Sequence, residues 1–321
     1  MVSREEFTLS AKPCVLVYAE DDPEVGPPPW DLLDDVEVVP AGGPVPPAAE
    51  ILYVWDHRLA DLGALLRAAP RVRWVHANSV GVDRLLCPEL RGRTLTNARG
   101  VFDTSITEWV LAAVLAHVKG LAETWERQRR GVWEHRVTGR LAGRRAAVVG
   151  TGSIGRATAS GLSALGMTVE LVGRTSERAG GGRGSDSLTK VARDADVLVL
   201  ALPLTAETAG LVDAPVLEAL GPDGFLVNVG RGRSVVEADL ANALRSGLIA
   251  GAALDVFEVE PLPANSPLWT LPGVLVSPHM AGDYQGFEAD MMSIFGDNLH
   301  RWQAGRPLRN VVDLDLGYVP G

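Results

Sequence analysis

The stretch Gly150-Thr151-Gly152-Ser153-Ile154-Gly155 lies between an apolar run, Arg145 to Val149, and a helix-like segment, Arg156 to Leu165. A second apolar run, Met167 to Val172, completes a strand–turn–helix–strand unit. In such a unit the first glycine permits a tight turn, the second lets backbone approach a pyrophosphate, and the third lets the helix pack against the strand. The positive helix N-terminus would face the phosphates. The pattern therefore predicts a dinucleotide site formed by Gly150, Gly152, Ser153, Ile154 and Gly155.

Alternating strands and helices extend in both directions from this unit. After residue 143 the apolar runs predict strands near 145–149, 167–172, 197–202, 225–229, 249–254 and 274–277, with helices near 153–165, 188–193, 213–220 and 237–246. Earlier runs predict strands over 14–19, 51–55 and 72–77 and a helix over 62–69. Helical spacing of apolar residues also predicts one long helix over 103–130 and another over 286–304. Apolar strands separated by helices are typical of doubly wound parallel sheets, covered on both faces.

Composition narrows the class of protein. A length of 321 residues with 46% hydrophobic residues predicts about two domains with sizeable cores. A net charge of −10 argues against broad binding of nucleic acid or an anionic membrane. Cys14 and Cys87 provide neither a disulfide framework nor a metal cluster. The charged N-terminus lacks an apolar signal core, and no run reaches the ~18 apolar residues of a membrane span, so we expect a cytoplasmic protein.

Charged or imidazole side chains follow the last three predicted strands of the second half. Arg231 lies in Asn228-Val229-Gly230-Arg231-Gly232, Glu260 lies in the segment 255–262, and His279 follows Ser277-Pro278. The carboxyl ends of parallel strands share one edge of the sheet with the glycine-rich turn. We therefore expect Arg231, Glu260 and His279 to converge where a nicotinamide ring would lie.

These motifs together resemble the D-isomer-specific 2-hydroxyacid dehydrogenase family. The segments 78–86 (Asn-Ser-Val-Gly-Val-Asp-Arg-Leu-Leu) and 97–100 (Asn-Ala-Arg-Gly) also resemble the substrate-side loops of that family. The resemblance covers essentially the whole chain, and the order Arg, Glu, His is specific. It is similar to the glyoxylate/hydroxypyruvate reductase or phosphoglycerate dehydrogenase type, in a short form without a regulatory domain.

The resemblance implies two doubly wound α/β domains. A Rossmann cofactor domain, residues 103–283, would be inserted into a flavodoxin-like substrate domain formed by residues 1–102 and 284–321. It also implies a homodimer, with the 103–130 helix and neighbouring segments as the candidate interface. The expected substrate is a small 2-oxo or 2-hydroxy acid such as glyoxylate, hydroxypyruvate or a phosphorylated relative.

The side chains suggest a mechanism for such a reaction. Reduction of a 2-oxo acid needs a hydride on the carbonyl carbon and a proton on its oxygen. Protonated His279 can donate that proton, and neutral His279 accepts it in reverse. Glu260 would hold the imidazole and favour its charged form, and Arg231 offers a rigid fork of donors for the substrate carboxylate. The resemblance adds the backbone amides around Val80 and Gly81 as further carboxylate contacts.

The remaining site residues come from the resemblance. Glu260, directly before Pro261-Leu262, matches the family pattern, which leaves Glu258 as a surface charge. Asp255 would contact the nicotinamide carboxamide, with a strand-end cap as the alternative. The resemblance places Gly282 near that carboxamide. It places Leu202 and Pro203 against the adenosine half, and Val229 and Gly230 under the ring.

The loop after the second strand bears on cofactor choice. NAD-preferring Rossmann sites carry an acidic residue there for the ribose hydroxyls. This chain has Arg174, Thr175 and Ser176 instead. An arginine can accept a 2′-phosphate, so the sequence predicts NADP(H) over NAD(H), with an exposed Arg174 and relaxed choice as the alternative.

Two other functions are open at this stage. The same fold can serve as a dinucleotide-binding regulatory or scaffold protein without catalysis. The set Arg231, Glu260 and His279 favours an enzyme, because a binding module has no use for a proton donor beside the nicotinamide. A formate-type dehydrogenase is disfavoured, because such relatives pair the histidine with glutamine and this chain has Glu260.

Overall fold

The protein forms two compact units in a computed structural model that describes residues 13–19, 29–33, 36–40, 44–56, 59–174 and 184–320. Unit 1 comprises Met1–Arg99 and Gly286–Pro320. Unit 2 comprises Gly100–Gln285 and is inserted between the two segments of unit 1.

The described residues contain parallel strands and α-helices. The strands are β1 (Cys14–Tyr18), β2 (Glu37–Pro40), β3 (Ala49–Val54), β4 (Trp74–Ala77), β5 (Thr94–Asn97), β6 (Arg145–Val149), β7 (Thr168–Val172), β8 (Val197–Leu200), β9 (Phe225–Asn228), β10 (Gly251–Leu254) and β11 (Val274–Val276). The helices are α1 (Leu62–Ala68), α2 (Asp103–Val118), α3 (Leu121–Arg129), α4 (Ser153–Ala164), α5 (Leu188–Arg193), α6 (Ala214–Leu220), α7 (Glu237–Arg245) and α8 (Phe287–Gln303).

Unit 1 is built on a parallel sheet with the order β2-β1-β3-β4-β5. This is the flavodoxin-like doubly wound order, in which the chain winds outward in both directions from β1. The strands β3 and β4 are almost fully buried and apolar, as expected when helices cover both faces of a sheet. The expected flavodoxin-like fold of this part of the chain is confirmed.

An aromatic cluster fills the core of unit 1 on the side of α8. Tyr53 and Trp74 stack on Phe295 with ring centroids 4.4 and 5.3 Å away. His76 lies among these rings with no exposed surface, and its Nδ1 is 2.8 Å from the Thr96 hydroxyl. Burial lowers the pKa of His76 from 6.5 to about 3, so the imidazole is neutral at physiological pH.

Unit 2 is a six-stranded parallel sheet with the order β11-β10-β9-β8-β6-β7. Its first strand, β6, has β7 on one side and β8 on the other, so the winding direction reverses at β6. Ligands of such sheets bind outside the carboxyl ends of the strands at this reversal. The glycine-rich turn lies at that point, directly after β6, and the expected Rossmann fold is confirmed.

The prediction of one long helix over 103–130 was wrong. Helix α2 ends at Val118 and α3 begins at Leu121, and the two are bent by 66°. Gly120 lies between them with φ of 57°, a left-handed conformation that ends a helix and that glycine adopts without strain. The strands β2 and β5 were not predicted, because β2 is short and partly exposed and β5 (Thr-Leu-Thr-Asn) reads as polar although most of it is buried.

Among the described residues, no single helix is long and apolar enough to cross a membrane. Only α2 and α3 taken together reach that length and composition, and they do so across their 66° bend.

Candidate functional site

The glycine-rich turn after β6 can be made only with glycine at two of its three positions. Gly150 has φ of 124°, and a Cβ there would lie 2.0 Å from the Ala201 carbonyl oxygen. A Cβ on Gly155 would lie 2.0 Å from the Gly150 oxygen. Gly152 differs, since a Cβ there would meet no described atom within 4 Å. Two glycines therefore shape the turn, and the third leaves open space where a ligand could approach the backbone.

Helix α4 begins directly after this turn without a side-chain cap. Its N-cap residue is Gly152, which has no side chain that could accept a helix N–H. The Ser153 hydroxyl instead donates to Asp103 Oδ1 over 3.0 Å, and Ile154 packs against the apolar core of unit 2. The first N–H groups of a helix need acceptors and carry partial positive charge. An uncapped helix end beside an open glycine fits the pyrophosphate of a dinucleotide.

The loops after β8 and β9 pack together next to this turn. Leu202 is buried, while Pro203 is exposed. A Cβ on Gly230 would lie 2.8 Å from the Leu202 oxygen, so only glycine allows the two backbones to approach this closely. Val229 is buried in the core of unit 2. The four residues predicted to contact adenosine and nicotinamide thus lie on two adjoining loops at the carboxyl edge of the sheet.

Asn228 fixes the loop that carries Arg231. Its side-chain oxygen accepts the Gly230 N–H over 3.1 Å, and its amide donates to the Arg231 oxygen over 3.0 Å. Asn228 is 1% exposed, so both bonds are sheltered from water. The Arg231 guanidinium donates to the Gly230 oxygen over 2.9 Å. We did not assign a role to Asn228 from the sequence, although it is a polar residue at the end of an apolar strand, which was the signal used for Arg231.

Glu260 and His279 form a hydrogen-bonded pair. The His279 Nδ1–H donates to Glu260 Oε2 over 2.8 Å, and the other carboxylate oxygen accepts the Phe257 N–H over 3.0 Å. Burial acts to raise the pKa of Glu260. The bond and charge of His279, the Phe257 bond and the charge of Arg231 outweigh burial, so that pKa lies below its usual value. A carboxylate thus holds one imidazole nitrogen, and Nε2 is the nitrogen that can exchange a proton with a ligand.

Asp255 anchors the loop that carries His279. One carboxylate oxygen accepts the Ser277 hydroxyl over 2.6 Å and the Met280 N–H over 2.9 Å. The other accepts the Ala281 N–H over 3.0 Å. Asp255 is 3% exposed, so this clamp is buried. His279 itself has φ of 55°, an unfavourable backbone angle for a non-glycine residue that typically persists only where surrounding contacts impose it.

These contacts add a structural role to Asp255, and its predicted carboxamide contact stays a prediction. Gly282 follows the clamped loop, where a Cβ would lie 3.2 Å from the Phe102 ring. The Ser277 hydroxyl and the amides of the loop were not anticipated from the sequence. Asp255 directly follows β10 and Ser277 directly follows the neighbouring strand β11, and polar residues after neighbouring strands are the signal that could have paired them.

Glu258 is exposed, as expected for a surface charge, but it also has a partner. Its carboxylate accepts the Glu237 N–H over 2.9 Å at the start of α7, and the Glu258 N–H donates to the Glu237 carboxylate. Burial, together with the charges of Glu258 and Glu260, raises the pKa of Glu237 despite the backbone bond that lowers it. Glu258 therefore ties the Glu260 loop to α7.

Arg174 follows β7 and is exposed. Thr175 and Ser176, predicted beside it, lie outside the described residues. Glu207, after β8, is near Arg174: a hydrogen bond from Thr205 lowers the pKa of Glu207, and the positive charge of Arg174 adds to that effect. The region predicted to bind the adenosine ribose thus contains charges of both signs.

Val80 and Gly81 belong to unit 1, in the loop after β4. The Val80 oxygen accepts the Asn97 amide over 2.7 Å, and the Gly81 oxygen accepts the Ser79 hydroxyl over 2.8 Å. Within the described part of the chain, the N–H groups of Val80 and Gly81 donate to no acceptor. Both residues are only partly buried, so these amides can bind an anion.

Comparison with known proteins gives matches over most of the chain. A protein-family model described as "D-isomer specific 2-hydroxyacid dehydrogenase, NAD binding domain" matches residues 111–281. A glyoxylate/hydroxypyruvate reductase of Arabidopsis thaliana is 32% identical over 269 residues, which is 82% of this chain and 83% of the relative.

Two solved structures are also similar. A D-isomer-specific 2-hydroxyacid dehydrogenase of Xanthobacter autotrophicus in complex with NADPH has a TM-score of 0.83 and 31% identity, covering 95% of this chain and 99% of its own. An NADPH-dependent glyoxylate/hydroxypyruvate reductase of Sinorhizobium meliloti in complex with NADP and sulfate has a TM-score of 0.84 and 28% identity, covering 96% and 100%.

Proposed function

Because the chain belongs to the D-isomer-specific 2-hydroxyacid dehydrogenase family, we propose that His279 is the proton donor with which it reduces small 2-oxo acids. The protein is an oxidoreductase that transfers a hydride between NAD(P)H and a 2-oxo or 2-hydroxy acid. The relatives named glyoxylate and hydroxypyruvate reductases support those two acids as the first candidates. The observation that carries the proposal is the 2.8 Å bond between His279 Nδ1 and Glu260.

Each residue of the proposed site has one task in the reduction. The Arg231 guanidinium binds the substrate carboxylate, and the Val80 and Gly81 N–H groups are proposed as further donors to it. His279 gives a proton from Nε2 to the carbonyl oxygen as that carbon is reduced, and takes it back in the oxidation. Glu260 holds Nδ1–H and thereby orients the ring and stabilises its positive charge.

The dinucleotide, when bound, supplies or accepts the hydride. In this proposal the pyrophosphate lies against Gly152 and the amides of Ser153, Ile154 and Gly155. Val229 and Gly230, with Asp255 and Gly282 nearby, would hold the nicotinamide, and Leu202, Pro203 and Arg174 would hold the adenosine. Unit 2 would thus be the cofactor domain, and unit 1 the substrate domain.

The test follows the consumption of NADPH and NADH with a panel of 2-oxo acids. Wild-type protein is expected to oxidise the cofactor with glyoxylate or hydroxypyruvate. His279→Ala should lose about 10²–10⁴-fold in kcat, the usual contribution of a general acid, and should still quench or shift NADPH fluorescence on binding. Full turnover in His279→Ala would refute its role. Tight dinucleotide binding with no turnover on any acid would favour the regulatory or scaffold function.

For the cofactor we propose a preference for NADP(H), supported by Arg174 in place of the acidic residue of NAD-preferring sites. The NADPH and NADP bound in the two similar structures are consistent with this preference. Glu207 opposes it, because its charge lies near the same arginine.

This pair of opposite charges gives a two-sided test. Arg174→Ala is expected to raise KM for NADPH about tenfold and to leave KM for NADH within about twofold. Glu207→Gln removes the opposing charge and should lower KM for NADPH. Equal changes of both KM values in Arg174→Ala would exclude recognition of the 2′-phosphate.

We also propose that the protein is a homodimer, with a second copy of the chain bound at residues 121–140. Trp133 and Val137 of this segment are 99% and 93% exposed. The Arg127–Glu134 and Arg136–Glu123 ion pairs hold the residues that follow α3 in a fixed position beside that helix. Its five arginines outnumber its three glutamates, whereas the whole chain carries a net charge of −10, so another copy offers a surface of complementary charge.

A further inference from the structure

In the loop after β4, the backbone oxygens of Val80 and Gly81 accept hydrogen bonds, and the N–H groups of the same residues are available to a ligand. Asn97 and Ser79 hold the Val80 and Gly81 oxygens at 2.7 and 2.8 Å. The N–H groups of those two residues have no acceptor among the described residues. The Val80 oxygen belongs to the same peptide group as the Gly81 N–H, so the Asn97 side chain fixes the orientation of that N–H. The Val80 N–H belongs to the peptide group of the Ser79 oxygen, which accepts the Ala98 N–H over 3.1 Å, in the loop that follows Asn97.

Asn97 is the stronger of these two anchors. It is the last residue of β5 and only 2% exposed. Its amide nitrogen donates to the Val80 oxygen, and its amide oxygen accepts the Arg99 N–H over 3.2 Å. Both ends of a buried amide are thus used to connect the loop after β4 with the loop after β5. An aspartate could not replace it, because a carboxylate has no hydrogen to donate to the Val80 oxygen.

The C-terminal segment holds Asn97 from the other side. The Asn310 amide donates to the Arg99 oxygen over 2.8 Å and to the Asn97 oxygen over 3.3 Å, and the Asn97 N–H donates to the Asn310 oxygen over 3.2 Å. Asn310 has φ of 55°, which asparagine and glycine tolerate best. The Arg99 guanidinium also donates to the Pro320 oxygen over 3.1 Å.

We propose that Asn97 is a positioning residue for the substrate carboxylate, and that Asn310 braces it through the C-terminal segment. The inference rests on the proposed function, because it assumes that the Val80 and Gly81 amides bind the carboxylate. Asn97 does not touch the substrate. It holds the Val80 carbonyl, so that the Gly81 N–H of the same peptide group remains directed to the anion.

The experiment compares KM for the 2-oxo acid with KM for NADPH in variants of the full chain. Asn97→Asp is expected to raise KM for the acid about tenfold, the equivalent of one lost hydrogen bond to a charged group, with KM for NADPH unchanged. Ser79→Ala and Asn310→Gly should raise it less, and Asn310→Gly preserves the backbone angle. Val312→Ala removes buried methyl groups from the same C-terminal segment and is the control for lost stability, expected to lower Tm without changing KM.

A binding measurement separates this inference from the proposed function. Oxamate, a carboxylate analogue of a 2-oxo acid, is titrated in the presence of NADPH. If the wild type turns over no acid but binds oxamate, and Ser79→Ala or Asn97→Asp weakens that binding, the proposed reaction fails and the positioning role stands. Acid KM and oxamate affinity within about twofold of wild type in all three variants would overturn the role of Asn97. So would a wild type that binds no oxamate. If Asn97→Asp fails to fold, the other two variants decide.

Discussion

The charge of Glu260 is fixed by competing effects at a single residue. Burial favours the protonated carboxyl, whereas His279, the Phe257 N–H and Arg231 favour the carboxylate and prevail. The pKa is lower in the folded chain than in the unfolded chain. The contribution of Glu260 to stability is therefore present above its usual pKa and is lost as the pH falls through the lower, folded value. At neutral pH the Glu260 carboxylate therefore presents a negative charge to Nδ1 of His279.

Glu260→Gln is expected to keep the shape of the site and remove that charge. Without that charge the positively charged imidazole is less stable, so kcat for reduction should fall. The fall should be smaller than the full contribution of a general acid, which is about 10²–10⁴-fold. Measurement of kcat with glyoxylate or hydroxypyruvate checks this effect. Glu258→Gln, the same change two residues earlier, is the control, and equal kcat values for the two variants would contradict the role of Glu260.

His76 makes a second prediction at the residue scale, and this one concerns stability. Its pKa of about 3 in the folded chain lies far below 6.5. Between these values the unfolded chain binds a proton that the folded chain does not, so stability falls as the pH falls, by up to about 1.4 kcal/mol per pH unit from this group. Above pH 6.5 His76 is neutral in both the folded and the unfolded chain, so the folded chain loses no stability through this group.

Urea unfolding at about pH 7.5 and about pH 5 measures this loss. His76→Leu should lose less stability between the two pH values than the wild type does. His300→Leu changes an exposed histidine and should behave like the wild type. Equal losses in the wild type and His76→Leu would show that His76 does not cause the acid sensitivity.

At the scale of elements, the turn between β6 and α4 separates folding from binding. Gly152→Ala places a methyl group in open space at φ of −71°, so Tm without ligand should stay near the wild-type value. The same methyl group would occupy the space proposed for the pyrophosphate, so NADPH binding should weaken about tenfold or more. Gly155→Ala, with its Cβ 2.0 Å from the Gly150 oxygen, should lower Tm in addition to weakening NADPH binding. Calorimetry and NADPH fluorescence provide the two readouts, and wild-type affinity in Gly152→Ala would contradict the proposed phosphate site.

Most elements of unit 2 could be predicted from the sequence because its strands are nearly continuous apolar runs. Polar residues end or follow the last three strands, at Asn228, Asp255 and Ser277. That pattern placed Arg231, Glu260 and His279 in the loops after adjoining strands, and Glu260 and His279 do form a bonded pair. It could not reveal the clamp by Asp255, since the bonds to Met280 and Ala281 are to backbone amides, which carry no residue-specific signal. The break at Gly120 was missed because helical spacing of apolar residues continues across it.

At the scale of the whole molecule, one alternation of strands and helices produced two different sheets. The order is β2-β1-β3-β4-β5 in unit 1 and β11-β10-β9-β8-β6-β7 in unit 2. Unit 2 therefore has one more strand on the side of β6 that lies opposite β7. Periodicity predicts that strands exist but not which of them are neighbours. The fold class of both units was anticipated mainly through the resemblance, which supplied the order that the pattern lacks. Short polar or edge strands such as β5 and β2 remained hidden because their burial is set by tertiary contacts.

The proposed homodimer is tested by placing charges on its exposed segment. Trp133 and Val137 present almost their whole side chains, and covering them would bury apolar surface that a single chain leaves in water. Trp133→Glu combined with Val137→Glu should therefore shift the protein from dimer to monomer in sedimentation velocity while Tm of the chain changes little. Leu32→Glu changes an exposed apolar residue of unit 1 and should leave the wild-type mass unchanged. A monomeric wild type, or a dimer that survives the double substitution, would show that residues 121–140 do not bind a second copy.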